Sequence, residues 1–103
     1  MENNLQLKIF PDAQSDMEQI FQYISYELCN PTAARELIEA FEKALDNVCA
    51  FPQICPLTDN EYVRDKTLRK LVVNNYIVFY RATDSEIQVI RVIYGMRNFT
   101  DIL

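Results

Sequence analysis

The chain has 103 residues, half of them hydrophobic and 24% charged, which suits one folded domain over residues 1–103 and excludes a disordered protein. The formal net charge is −5. No apolar run approaches the ~20 residues that a membrane-spanning helix needs. The first apolar run contains Lys8 and does not resemble a secretory signal, so we expect a cytoplasmic protein without membrane association.

The first two elements follow from hydrophobic periodicity. Leu5–Phe10 alternates apolar and polar residues, which indicates a half-buried strand. Pro11 and Asp12 are typical of a first helical turn. The helix that they open should end near Cys29. It carries one apolar stripe, formed by Ala13, Met17, Ile20, Phe21, Ile24 and Leu28.

A second helix should begin at once and pack against the first as an antiparallel hairpin. Asn30 is a strong N-cap residue and Pro31 suits the first helical position. Pro52 should stop this helix. Its apolar stripe is Ala34, Leu37, Ile38, Phe41, Leu45 and Val48. Residues 52–66 are of mixed polarity and predict an irregular loop that crosses the domain.

Three strands are expected in the remaining chain. Leu68–Val73 and Tyr76–Ala82 flank Asn74-Asn75, a plausible two-residue turn because asparagine tolerates positive φ. Glu86–Tyr94 is the last strand and is apolar on both faces, which indicates a central strand. Simple alternation groups its side chains in two sets: Ile90, Val92 and Tyr94 on one face, and Ile87, Val89, Arg91 and Ile93 on the other.

The order of elements predicts an α+β fold. An N-terminal strand and an antiparallel helix hairpin precede three strands, so the hairpin should pack on one face of a mainly antiparallel four-stranded sheet. The other sheet face is expected to be concave and open. Gly95, the single glycine, should let the chain bend as it leaves the last strand.

Charge and reactive side chains limit the chemistry. Residues 1–60 hold ten acids and three bases, whereas residues 61–103 hold five acids and seven bases, so anion binding is expected in the second part. No long basic stripe suggests direct DNA binding. The chain lacks histidine, and Cys29, Cys49 and Cys55 have no metal-ligand spacing, so we expect packed thiols, no metal and no cofactor.

Five segments in this order resemble the RelE/ParE superfamily of bacterial toxins. They are the opening strand, FPDAQSDMEQIFQYI, the helix ending in AFPQICPL, LRKLVVNNYIVFYRA and IQVIRVIYGMRN. These toxins belong to type II toxin–antitoxin pairs and are also described as plasmid stabilisation proteins. The resemblance covers almost the whole chain and implies their fold and an antitoxin as the partner.

The resemblance implies two alternative targets. RelE-like members are metal-independent endoribonucleases that cut mRNA on the ribosome, whereas ParE-like members poison DNA gyrase. The acidic charge, the missing histidine and the lack of a tyrosine six residues after Arg97 favour the ParE-like alternative. A toxin fold that has lost its toxicity and serves only as the antitoxin's partner is the third possibility.

The resemblance also nominates site residues. If the protein is a nuclease, Arg69 in LRKL and Arg97 in YGMR would hold the scissile phosphate, and Tyr94 would take the place of the usual histidine. For contact with a target or partner the candidates are Arg69, Lys70, Arg91 and Arg97. The alternative for Arg91 is a structural ion pair with a carboxylate of a helix or loop.

Overall fold

The computed structural model describes residues 5–58 and 65–95. Two helices and a four-stranded mixed sheet form the α+β fold that the sequence predicts. The elements are β1 (Gln6–Ile9), α1 (Pro11–Gln22), a π-helical turn (Tyr23–Glu27), α2 (Pro31–Ala50), β2 (Arg69–Val73), β3 (Tyr76–Ala82) and β4 (Glu86–Tyr94). Within the described residues no helix has the length and apolar character needed to cross a membrane.

The strands lie in the order β1-β4-β3-β2. β4 pairs antiparallel with β3 and β3 pairs antiparallel with β2, whereas β1 runs parallel to β4. The last strand is therefore central, as its apolar character predicted, and β1 lies at the edge. A parallel partner needs a long crossover, which the helix hairpin provides.

Local sequence signals place the helix boundaries. Pro11 starts α1, and the side chain of Asn30 accepts a hydrogen bond of 3.1 Å from the backbone N–H of Ala33. The second helix ends at Ala50, two residues before Pro52. Asn74 in the β2–β3 turn has φ 54°, the positive value that the Asn-Asn pair predicted.

A bulge in β4 makes the predicted grouping of its side chains wrong. Phe79 of β3 pairs with Arg91 and Tyr80 pairs with Val89, so Ile90 has no partner opposite it. One extra residue reverses the alternation for the rest of the strand. As a result Val89 and Val92 both pack in the core beneath the helices, whereas Ile90 and Ile93 pack on the opposite face.

Both faces of the sheet carry buried side chains. The main core lies under the helices, and its buried members are Ala13, Leu37, Phe41, Leu45, Val73, Val78, Val89 and Val92. On the opposite face Phe79 is 0% and Ile93 2% exposed, and both pack with Leu68. The prediction that this face is open is therefore wrong at these positions.

The segment after α2 crosses to the outer edge of β2, as predicted for its described part. The N–H of Thr58 donates to the carbonyl of Leu68 (2.8 Å), and the N–H of Lys70 donates to the carbonyl of Pro56 (3.0 Å). This short antiparallel bridge covers the first residues of β2. By contrast, β1 keeps an edge position at the other side of the sheet.

Gly95 is needed for close approach rather than for a special backbone angle. Its φ does not lie in the positive region. A Cβ atom at this position would lie 3.2 Å from the carbonyl oxygen of Asn75, and the N–H of Gly95 donates to that oxygen at 2.8 Å. A side chain would push the end of β4 away from the β2–β3 turn.

The cysteines differ in their environments. Cys49 and Cys55 are buried in a cluster with Val48, Tyr80 and Ile87, as expected of packed thiols. Cys29 is exposed and has φ 50°, so the prediction of a packed thiol is wrong there. It lies in the short link between the π-helical turn and α2, where no core is available to it.

Candidate functional site

A groove lies between the first helix, the start of β3 and the end of β4. Its volume is about 780 Å³. We call it the tyrosine groove, because Tyr23, Tyr76 and Tyr94 line it together with apolar residues such as Ile20, Leu28 and Val92. It lies at the far end of the sheet from the start of β2, in a region that β1 is too short to cover.

A π-helical turn forms one wall of this groove. The N–H of Leu28 donates to the carbonyl of Tyr23 (3.1 Å), five residues back, which widens the helix by one residue. Tyr23 and Leu28 remain exposed at the rim. Widened turns of this kind occur often at functional sites, and the sequence contains no signal that distinguished this turn from ordinary helix.

Aromatic rings in edge-to-face contact form the floor of the tyrosine groove. The ring of Tyr76 meets that of Tyr94 edge to face with centroids 5.7 Å apart, and it meets Phe41 of α2 in the same way at 6.1 Å. Burial, with Tyr94 and Tyr23 nearby, raises the pKa of Tyr76, so this phenol is neutral at physiological pH. Tyr76 is thus an anchored ring, whereas Tyr94 is 47% exposed and available for contact.

Arg91 lines the groove but is held by an acid. Its Nε and Nη2 donate to the two carboxylate oxygens of Asp16 at 2.7 and 2.8 Å. The same carboxylate accepts the backbone N–H of Val92 at 2.9 Å. The hydrogen bonds and charge of Asp16 raise the pKa of Arg91 despite its partial burial. The alternative of a structural ion pair with a helix carboxylate is therefore confirmed.

Arg69 lies at the opposite end of the sheet. Its Nη1 donates to the carbonyl of Cys55 at 2.7 Å, and it pairs in register with Tyr80. Tyr94 pairs with Tyr76, four residues away along β3. The Cα atoms of Arg69 and Tyr94 are therefore about 13 Å apart along the strands and about 10 Å apart across them. Because the guanidinium of Arg69 is held at the Cys55 carbonyl, the structure does not bring the two side chains together.

Of the remaining predicted residues, Lys70 does not line the tyrosine groove. Lys70 pairs with Phe79 and shares its face of the sheet, away from the helices. Arg97 lies outside the described residues. Among the described residues, no group of three or more histidine, cysteine, aspartate or glutamate side chains is arranged to hold a metal ion. The arrangement suits recognition of a protein surface by tyrosine rings.

Tyr80, the β3 residue that pairs with Arg69, is bound to the loop after α2. Its hydroxyl donates to the carbonyl of Pro52 at 3.0 Å, and its ring is fully buried. Burial, together with hydrogen bonding and charge from Cys55, raises the pKa of this phenol well above its usual range. The Arg69 end of the sheet is therefore tied to the loop after α2.

Comparison with known proteins decides the family. The model of the ParE toxin of the type II toxin–antitoxin system, parDE, matches residues 7–99. The chain belongs to the ParE toxin family. This confirms the resemblance inferred from the sequence, including the prediction that the chain is more ParE-like than RelE-like. Membership supports a toxin of a type II module with a cognate antitoxin as partner.

The fold has a solved counterpart. A structure described as the chromosomal ParDE TA system from P. aeruginosa superposes with a TM-score of 0.72 at 17% sequence identity. The match covers 89% of this chain and 97% of the other. At this identity the likeness concerns the fold. A comparison with curated proteins found no match.

Proposed function

We propose that this ParE-family toxin arrests bacterial growth in the cytoplasm by binding DNA gyrase, and that its cognate antitoxin prevents this by covering the tyrosine groove. The observation that carries the proposal is the groove itself, with Tyr94 exposed beside the anchored ring of Tyr76. Tyrosine contributes disproportionately to protein interfaces because it buries a large ring at small entropic cost.

Two further observations favour a binding toxin over a nuclease. Arg69 and Tyr94 lie at opposite ends of the sheet, and the guanidinium of Arg69 already holds the Cys55 carbonyl. The net charge of −5 also works against attraction to the densely anionic ribosome. Of the predicted contact residues, we retain Lys70 and Arg97 as candidates for target contact. We assign structural roles to Arg91, which is paired with Asp16, and to Arg69.

The proposal is tested with purified components. Gyrase supercoils relaxed plasmid, and the toxin should inhibit this reaction in proportion to its concentration. Tyr94→Ala should raise the concentration needed for half-inhibition about tenfold, the effect of losing one central aromatic contact. Tyr26→Ala is the matched control, since Tyr26 is more exposed and does not line the groove.

The outcomes separate the alternatives. Folded protein that leaves supercoiling unchanged would contradict the gyrase proposal. Cleavage of ribosome-bound mRNA, lost on Arg69→Ala with Arg97→Ala, would establish the nuclease instead. Neither activity, with the antitoxin still bound, would establish a toxin fold that is kept only as a partner.

A further inference from the structure

A second groove lies on the other side of α1. It is bounded by α1, the second half of α2 and the edge strand β1, and has a volume of about 630 Å³. It shares no lining residue with the tyrosine groove. Its apolar surface is formed by Leu7, Ile9, Met17, Phe21, Ile38 and Leu45.

The pattern of α1 explains why two grooves exist. Ala13 is its one fully buried residue. Ile20 points to the tyrosine groove, whereas Met17 and Phe21, one turn apart, point to the second groove. The apolar stripe is therefore wider than the core beneath it can cover. Phe21 stays 39% exposed and Leu7 of β1 stays 41% exposed.

Acids line the second groove. Glu18 of α1 faces Glu42 and Asp46 of α2 across it. Glu42 and Asp46 are four residues apart on one helix, a like-charge spacing that costs helix stability. The ion pairs found in the described part of the chain, Arg81–Asp65 and Arg91–Asp16, do not involve any of these three acids. The side-chain amide of Gln14 donates a hydrogen bond to the carboxylate of Glu18 at 3.3 Å.

We propose that this acid-lined groove binds a cationic amphipathic segment of a protein partner. The exposed ring of Phe21 and the aliphatic side chains around it would accept two or three apolar side chains of the segment. Lysine or arginine residues beside these anchors would meet Glu18, Glu42 and Asp46. Such a segment would bury the exposed apolar surface and would pair the three carboxylates with cations.

Charge argues against the other occupants. Nucleic acid and anionic lipid surfaces would be repelled by three carboxylates. The helices of a second copy would also be repelled, since residues 11–50 hold eight acids and two bases. The proposal does not depend on gyrase as the target, because it concerns a separate surface.

The test uses the full chain and two synthetic amphipathic peptides with the same apolar residues. One peptide carries lysine at all its polar positions and the other carries glutamate. The lysine peptide should bind at least about tenfold more tightly, with an affinity that falls as salt rises. Equal affinities for the two peptides would overturn the proposal.

Matched variants locate the site. Glu18→Lys with Glu42→Lys should weaken binding of the lysine peptide about tenfold. Glu27→Lys with Glu36→Lys makes the same change in net charge at exposed positions outside both grooves and should leave the affinity within about twofold. An equal loss in both pairs would show attraction to overall charge and would contradict a specific groove.

The apolar part has its own control. Phe21→Gln should weaken binding, whereas Phe51→Gln, at an exposed phenylalanine away from the groove, should not. Amide shifts of the full chain on addition of the lysine peptide should centre on α1 and β1. Shifts centred on Tyr76 and Tyr94 would place the peptide in the tyrosine groove and overturn the assignment. Thermal unfolding of each variant verifies that it is folded.

Discussion

Asp16 of α1 and Arg91 of β4, 75 residues apart in sequence, are joined by two hydrogen bonds. The pair lies where β1 has ended, and Asp16 there replaces a strand partner by accepting the N–H of Val92. The Asp16 carboxylate thus satisfies a backbone N–H at the edge of β4 beneath the tyrosine groove. It also places α1, and with it the π-helical turn, over β4.

Removing this carboxylate should destabilise the fold. Asp16→Asn leaves Arg91 without its charged partner, and we expect a loss of about 1.5–3 kcal/mol in the free energy of unfolding. Urea denaturation measures this value. Glu39→Gln on the exposed side of α2 is the control and should change stability by less than about 0.5 kcal/mol. Equal effects of the two substitutions would show that the pair is not important for stability.

Asp65 should make stability depend on acid pH. Burial disfavours its charged form, but hydrogen bonds from Thr67 and the charge of Arg81 outweigh burial and lower its pKa below the ordinary 3.8. A lowered folded-state pKa stabilises the fold above the ordinary value, and this contribution is lost as pH falls through the folded value.

A comparison of wild type with Asp65→Asn tests the direction of this pH dependence of stability. Wild type should be the more stable protein at pH 7, and the difference should shrink as pH falls below 3.8, the ordinary pKa of the group. Unfolding by urea at a series of pH values measures the difference. A difference in stability that stays constant down to the lowest pH measured would contradict a lowered pKa for Asp65.

Arg69 should behave as a packing residue. Arg69→Met removes the donor to the Cys55 carbonyl, and we expect a loss of about 1–2 kcal/mol in the free energy of unfolding. Lys70→Met at the next position should cost less than about 0.5 kcal/mol. If Arg69→Met unfolds at the wild-type urea concentration, the arginine is not a support for the loop after α2.

The three thiols should react at different rates. Cys29 is exposed, whereas Cys49 and Cys55 are buried, and burial with Asp46 nearby raises the pKa of Cys49. Because the thiolate is the reactive species, a disulfide reagent should modify Cys29 quickly and the other two only on unfolding. Cys29→Ser removes the fast phase. Fast modification of Cys49 or Cys55 in the folded Cys29→Ser protein would contradict this packing.

Much of the fold was predictable because its signals are local. Pro11, the Asn30 cap, Pro52 and the Asn74 turn each mark a boundary with their own chemistry. The bulge at Ile90 could not be predicted in this way, because it depends on how β3 and β4 pair. A residue-by-residue alternation rule cannot register one inserted residue, and it therefore placed Val89 and Val92 on opposite faces.

The candidate site was predictable only in part. The family resemblance nominated Tyr94, and an acid partner was the alternative to a contact role for Arg91. Tyr23 and Tyr76, by contrast, had no sequence signal beyond their apolar neighbours. Their positions in the tyrosine groove come from the π-helical turn and from the contact of Tyr76 with Tyr94. The separation of Arg69 from Tyr94 follows from the strand order and register, which side-chain periodicity does not specify.

Pulse labelling of bacteria distinguishes gyrase, the proposed target of the toxin, from the ribosome. Thymidine and methionine incorporation are followed in bacteria during the first minutes after expression of the protein is induced. If the toxin binds gyrase, DNA synthesis should fall first, and co-expressed antitoxin should restore it. A fall in protein synthesis before DNA synthesis would contradict gyrase as the target and would indicate a ribosome-dependent nuclease.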